Sequence, residues 1–110
     1  TMLFGVACGD DDHMGTLIGL SCGSSLECDL VGACVTDGPA GQCTMPCQVS
    51  GRPGECPLGS YCDRENVSID GERKREETLC FPACDRDSDC RVGYRCKGVS
   101  DGPGKVCQAR

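Results

Sequence analysis

The sequence has no tryptophan, a single histidine (His13) and only four aromatic rings, those of Phe4, Tyr61, Phe81 and Tyr94. Of its 110 residues, 24 are large apolar side chains. A chain of this length ordinarily buries one continuous apolar core, and this composition is too poor to be expected to supply one. That shortage excludes a helical bundle and a Rossmann-like enzyme. No run of 18 apolar residues occurs, which excludes a membrane-spanning helix within the sequence. There is no C-x-x-C pair, no C-x-x-C-H haem-attachment pattern and no glycine-rich phosphate loop. Zinc-ribbon, haem and nucleotide chemistry therefore have no carrier. The net charge of −6 disfavours nucleic acid as a partner.

What is abundant is cysteine. Thirteen are present, with 16 glycines and six prolines. Cysteine at that density marks a disulfide scaffold, and the absence of close ligand pairs turns the reading from metal to disulfide. The expected compartment is oxidising, at the cell surface or outside the cell. The glycines and prolines predict loops and tight turns in place of long helices.

From Cys22 onward the cysteines fall into three groups of four. The first is Cys22, Cys28, Cys34 and Cys43; the second is Cys47, Cys56, Cys62 and Cys80; the third is Cys84, Cys90, Cys96 and Cys107. Five residues separate the second and third cysteine in every group, and a three-residue, proline-containing linker joins each group to the next. An apolar residue followed by glycine sits between those two cysteines, as Val31-Gly32, Leu58-Gly59 and Val92-Gly93. An Asp-Gly pair lies between the third and fourth, as Asp37-Gly38, Asp70-Gly71 and Asp101-Gly102. Asp-Gly between short strands is a hairpin-turn signal, because both residues tolerate positive φ.

The fold class expected is therefore small and disulfide-rich: three tandem β-hairpin modules with little helix, preceded by an extended N-terminal arm. The boundaries are an arm with an acidic tether over residues 1–21 and cysteine repeats over 22–43, 44–80 and 81–110, the second carrying a long charged hairpin. Four cysteines allow three pairings, and spacing alone does not choose among them. The interleaved pairing ties the leading segment to both hairpin strands. It gives Cys22–Cys34, Cys28–Cys43, Cys47–Cys62, Cys56–Cys80, Cys84–Cys96 and Cys90–Cys107 as the expectation. Each such bond would stabilise by about 2–4 kcal/mol through restriction of the unfolded chain.

The stretch Cys84-Asp85-Arg86-Asp87-Ser88-Asp89-Cys90-Arg91-Val92-Gly93-Tyr94-Arg95-Cys96, closed by Cys107, resembles the short cysteine-rich repeats of secreted and lipoprotein-type proteins from predatory and myxobacterial lineages. It is also similar to EGF-like modules and to the amino-terminal cysteine-rich domain of Dickkopf proteins. The resemblance spans residues 22–107 and rests on cysteine, glycine and aspartate. It implies a hairpin module of extracellular recognition or cell-surface structure, and it carries no catalytic residue over.

Asp85, Asp87 and Asp89 alternate as at the start of a calcium loop, but the glycine and the later bidentate glutamate of such a loop are missing. Turn capping is the stronger expectation for them, with calcium as a weak alternative; no other metal or cofactor is expected. Asn66-Val67-Ser68 is a glycosylation sequon, used only where the host glycosylates secreted chains. Glu72-Arg73-Lys74-Arg75-Glu76-Glu77 reads as a solvated hairpin extension with mixed-sign pairing. No catalytic constellation is legible, so no enzymatic activity is expected.

Thr1–Leu20 holds eight of the 24 large apolar residues, among them Met2, Leu3, Phe4, Val6, Leu17, Ile18 and Leu20. Thin modules offer little cover for them, and exposed apolar stretches mark partner or membrane sites. Each half of the arm could add as a strand to an open sheet edge. The function expected is an extracellular structural or interaction protein that self-assembles through this arm into a surface fibre or sheath, its partner a copy of itself. The alternative is a lipid-anchored or secreted monomer that binds another protein; a protease inhibitor or ligand follows behind. The halves also differ in charge: residues 1–55 hold seven acids and one base, and residues 56–110 hold ten of each. Cys8 stands outside the twelve repeat cysteines, within Val6-Ala7-Cys8-Gly9. That context resembles a lipoprotein processing junction, with Gly5 where leucine is usual. Cys8 is expected to be unpaired, bonded between chains or lipidated, and lipidation is the one expected route to a membrane.

Overall fold

In each module the third and fourth cysteines face one another across a two-stranded antiparallel hairpin. β1 (Ala33–Val35) pairs with β2 (Gln42–Thr44), placing Cys34 opposite Cys43. β3 (Ser60–Val67) pairs with β4 (Arg75–Pro82), placing Cys62 opposite Cys80. β5 (Tyr94–Gly98) pairs with β6 (Lys105–Ala109), placing Cys96 opposite Cys107. Directly opposed residues project to one face of the ribbon, and there both cysteines meet the leading segment of their own module. The computed structural model describes residues 18–51 and 54–110, with the backbone alone at 29–31. Met2, Leu3, Phe4, Val6, Cys8 and Leu17 lie outside these.

Six disulfides close the modules, joining first to third and second to fourth cysteine each time: Cys22–Cys34, Cys28–Cys43, Cys47–Cys62, Cys56–Cys80, Cys84–Cys96 and Cys90–Cys107. The leading segment is thus stapled across both strands. Helical structure among the described residues is limited to two 3₁₀ segments, Ser25–Val31 and Asp87–Asp89. Gly32, Gly59 and Gly93, which follow the repeated apolar residue, share a left-handed φ of 91°, 87° and 90°. Such a φ favours glycine, and it turns the chain from the leading segment into the hairpin.

The Asp-Gly pairs divide. Asp70 and Gly71 both take positive φ (55° and 77°), and the Glu72 amide donates to the Ile69 carbonyl at 3.0 Å, as a primed hairpin turn requires. In the first module the positive φ angles fall instead on Ala40 and Gly41, and no residue of Asp101–Gly104 has one. Proline explains the difference. Pro39 and Pro103 follow Gly38 and Gly102, and a residue before proline is pushed toward extended backbone.

The tandem units do not hang as separate beads. Isolated bridges join Val35 to Ile69 and Ala83 to Val106, linking the second hairpin to the first and the third. The Tyr94 hydroxyl donates to the Pro39 carbonyl at 3.1 Å, and the Arg91 guanidinium donates to the Gly41 carbonyl, closing the third module onto the first. Inside this triangle Val35, Val67, Leu79, Phe81, Val99 and Val106 form one buried cluster drawn from all three modules. The shared core that the composition argued against is present and small. It is possible because neighbouring hairpins cover one another, so each needs to supply only one to three apolar side chains.

A second cluster consists mainly of cysteines, Cys22, Cys28, Cys34, Cys43 and Cys80, with Ile18 packed among them. Ile18, expected in an exposed arm, is only 7% exposed. The Gly19 amide donates to the Cys43 carbonyl at 2.7 Å and the Cys43 amide to the Leu20 carbonyl at 2.8 Å. This end of the arm therefore lies along β2 of its own chain, and Leu20 stays half exposed. The open edge of β2 and the apolar sulfurs beside it provide the cover that thin modules seemed to lack.

Phe81 is fully buried where the three modules meet. Phe81→Ala is expected to cost about 3–5 kcal/mol in non-reducing denaturant unfolding. Hydrogen exchange should show all three hairpins losing protection together. Loosening confined to β3 and β4 would mean that the modules are energetically separate.

Candidate functional site

The aspartates of the repeated Asp-Gly pairs all serve as polar ties between modules. Asp37 accepts from the Ser68 amide at 2.7 Å and pairs with the Lys74 ammonium at 3.1 Å. Asp70 accepts from the Ser25 amide and hydroxyl at 2.6 and 2.9 Å. Asp101 pairs with Arg64 at 3.2 Å. Each carboxylate leaves its own loop and engages the neighbouring module. The sequence marks these residues as turn formers; their reach is a property of the packing.

At the junction of the second and third hairpins lies a carboxyl pair that the sequence did not single out. Asp63 is fully buried on β3. Its Oδ1 accepts from the Arg64 and Ser100 amides at 2.9 and 2.8 Å, while its Oδ2 is buried without a partner. Two residues along the same strand face, Glu65 pairs with the Lys97 ammonium at 3.0 Å. Burial raises the Glu65 carboxyl above its ordinary value, the neighbouring Asp63 carboxylate raises it further, and Lys97 opposes both. Both shifts act through the cost of placing a second negative charge beside buried Asp63.

Glu65 and Lys97 also stand on the wall of a cleft of about 600 Å³ enclosed by all three modules. The other charged or buried polar side chains along it are Asp37, Lys74, Gln108 and Arg110. The Gln108 side chain, only 7% exposed, carries an amide nitrogen buried with no acceptor. Asn66 is exposed at the same cleft, so its sequon is accessible on the folded surface.

The alternating aspartates act as caps. Asp89 Oδ2 accepts from the Asp85 and Arg86 amides at 2.9 and 3.2 Å, and Asp87 Oδ1 accepts from the Cys96 amide at 2.8 Å. The backbone donors of Asp85 and then Arg86 hold the Asp89 carboxyl below its ordinary value. These bonds seat the second 3₁₀ segment against β5. The charged run is engaged in ion pairs: besides Lys74 with Asp37, Arg75 pairs with Glu77, and Glu76 lies 3.7 Å from Arg64. In each module the first, second and fourth cysteine sulfurs lie within 4.8 Å of one another. All are consumed in disulfides and offer no thiolate to a metal.

No protein-family model, curated protein or solved structure matches the chain. The surface is therefore read on its own geometry. Leu58 and Val92, each two residues past the second cysteine of its module, are 93% and 96% exposed, and Leu26 is 92% exposed. Cys56 and Cys90 anchor the first two in place through their disulfides. The apolar-glycine step is legible in the sequence; the exposure of Leu58 and Val92 is decided by the fold.

Glu65 generates a pH prediction. Its folded value lies above the ordinary 4.5, so the folded protein holds that proton more tightly than the unfolded chain does. The resulting stability is full below 4.5 and is lost as pH rises through the raised value. Glu65→Gln removes this titration. Unfolding free energy measured from pH 4.5 to neutrality should fall for the native chain and run flatter for the variant. Equal slopes would mean that Glu65 does not carry the effect.

Proposed function

We propose that the protein is an extracellular interaction protein that presents disulfide-fixed loop tips to another protein, the first candidate partner being a second copy of itself. The observation that carries this reading is the near-complete exposure of Leu58 and Val92 at equivalent positions. In a chain with so few large apolar residues, side chains held out in water are available for a contact. Their loops are already fixed by disulfides, so binding orders little chain. The six disulfides require an oxidising environment to persist, which favours the cell surface or the extracellular space. The likeness of the cysteine spacing to EGF-like and Dickkopf amino-terminal modules supports the same class.

Assembly into a fibre or sheath is the form we favour for self-association. Ile18, Gly19 and Leu20 are engaged with their own first hairpin, so such a contact falls to the tips together with residues 1–17. A lipid-anchored monomer, held through Cys8 and binding a different protein, is the alternative.

Sedimentation of the full chain over a range of concentrations tests the proposal. Burying one Leu or Val side chain contributes about 1.5–3 kcal/mol, so Leu58→Ser with Val92→Ser should weaken association by about tenfold or more. Both positions are solvent-exposed, so thermal stability should hold. A chain that stays monomeric at every concentration removes self-association. Association untouched by both substitutions removes the tips as the contact.

A further inference from the structure

We propose that the end of the second hairpin is a processing site. A secreted endoprotease that selects basic residues cuts the Arg73–Lys74 bond there, and the product is a two-chain protein joined by Cys56–Cys80. The site shares no residue with the apolar tips, so the proposal goes beyond the reading above. Arg73-Lys74-Arg75 is the one place in the sequence where three cations stand in a row. Between Cys62 and Cys80 lie 17 residues, more than between any other neighbouring cysteines. Residues 71–76 are all exposed, and Glu72, Arg73 and Lys74 stand outside any strand. Exposed polar loop ends are preferred sites of proteolytic nicking.

The three cations are held differently. Lys74 pairs with Asp37 at 3.1 Å, and Arg75 pairs with Glu77 and lies opposite Val67 in the ladder of β3 and β4. Arg73 makes no hydrogen bond or ion pair with any described residue. The turn ends with the Glu72 amide on the Ile69 carbonyl, and neither Arg73 nor Lys74 joins a backbone hydrogen bond after it. A protease must draw an extended stretch of chain into its cleft, which costs least where little local structure has to open. An arginine free of any partner suits the acidic primary pocket by which such proteases select a cation. The other described lysines and arginines lie in strands, in turns closed by backbone hydrogen bonds, or at Arg110.

Hydrolysis adds one water across the bond, leaving a carboxylate on Arg73 and an ammonium on Lys74. Of the six disulfides only Cys56–Cys80 spans the cut, and Cys80 is fully buried, so the two pieces stay joined. The backbone bonds to the first module, Thr36 with Ser68 and Asp70 with Cys34, stay on the amino-terminal piece, and β4 keeps its ladder. The cut therefore processes the protein without degrading it.

Trypsin acting on the native, disulfide-bonded full chain is the probe, read by intact mass before and after reduction. The first product should be a single species heavier by one water, and reduction should release residues 1–73 and 74–110. Arg73→Gln, at an exposed and unpartnered position, should slow that first cut by about tenfold or more, because a site built for a cation rejects a residue without one. Hydrogen exchange of the cut protein should keep the protection of all three hairpins. Leu58→Ser with Val92→Ser should be cut at the native rate, which separates failure of this site from failure of the tips. In protein isolated from the cells that make it, reduction should release a chain beginning Lys74-Arg75-Glu76. The proposal is overturned by a native chain that resists the protease, by a first cut elsewhere, or by loss of hairpin protection after the cut. Naturally made protein that remains a single chain would also overturn it.

Discussion

The structure depends on the crossing of two disulfides in each module. Each hairpin strand carries one cysteine, and both side chains leave the same face because their positions are directly opposed. A short leading segment is thereby bonded to both strands at once. None of the three ribbons would be stable in water as an isolated hairpin. The bonds remove much of the unfolded chain's freedom, and they set the left-handed glycine turn and the exposed apolar residue before it.

Covalent closure within modules leaves the question of what holds the modules to one another. The answer combines a small apolar cluster around Phe81 with carboxylates that cross between units. Asp37, Asp70 and Asp101 each bond outside their own loops, and buried Asp63 accepts an amide from the third module. Hydrogen bonds to charged groups contribute more than neutral ones, and the partly buried ones are less screened than surface pairs. The result is a closed triangle. Its inner edge forms a polar cleft and its outer loops display apolar tips, two surfaces of opposite character on one rigid frame.

The tips are apolar, whereas the cleft wall carries the Asp37–Lys74 and Glu65–Lys97 ion pairs. Both surfaces are held by the fold itself, the tips by disulfides and the cleft by paired lysines. Ile18 shows the limit of reasoning from composition about the arm. Its side chain enters the sulfur-rich cluster because a disulfide surface is itself apolar, a property that counting only carbon side chains conceals.

The sequence by itself determined the modules. Cysteine spacing, the apolar-glycine step and the scarcity of large apolar residues are local properties of the chain. They were enough for three disulfide-stapled hairpins with little helix. The glycine turns were legible for the same reason, since a left-handed φ is decided within one residue. Tertiary structure alone decided which of three pairings each module adopts and that the modules share a core. It also decided that Asp-Gly aspartates reach across interfaces, and it brought Asp63, Glu65, Lys97 and Gln108 to one junction. Those outcomes depend on contacts between residues tens of positions apart. Such contacts form only when three separately stapled hairpins pack together, and no local pattern encodes which side chains will then meet.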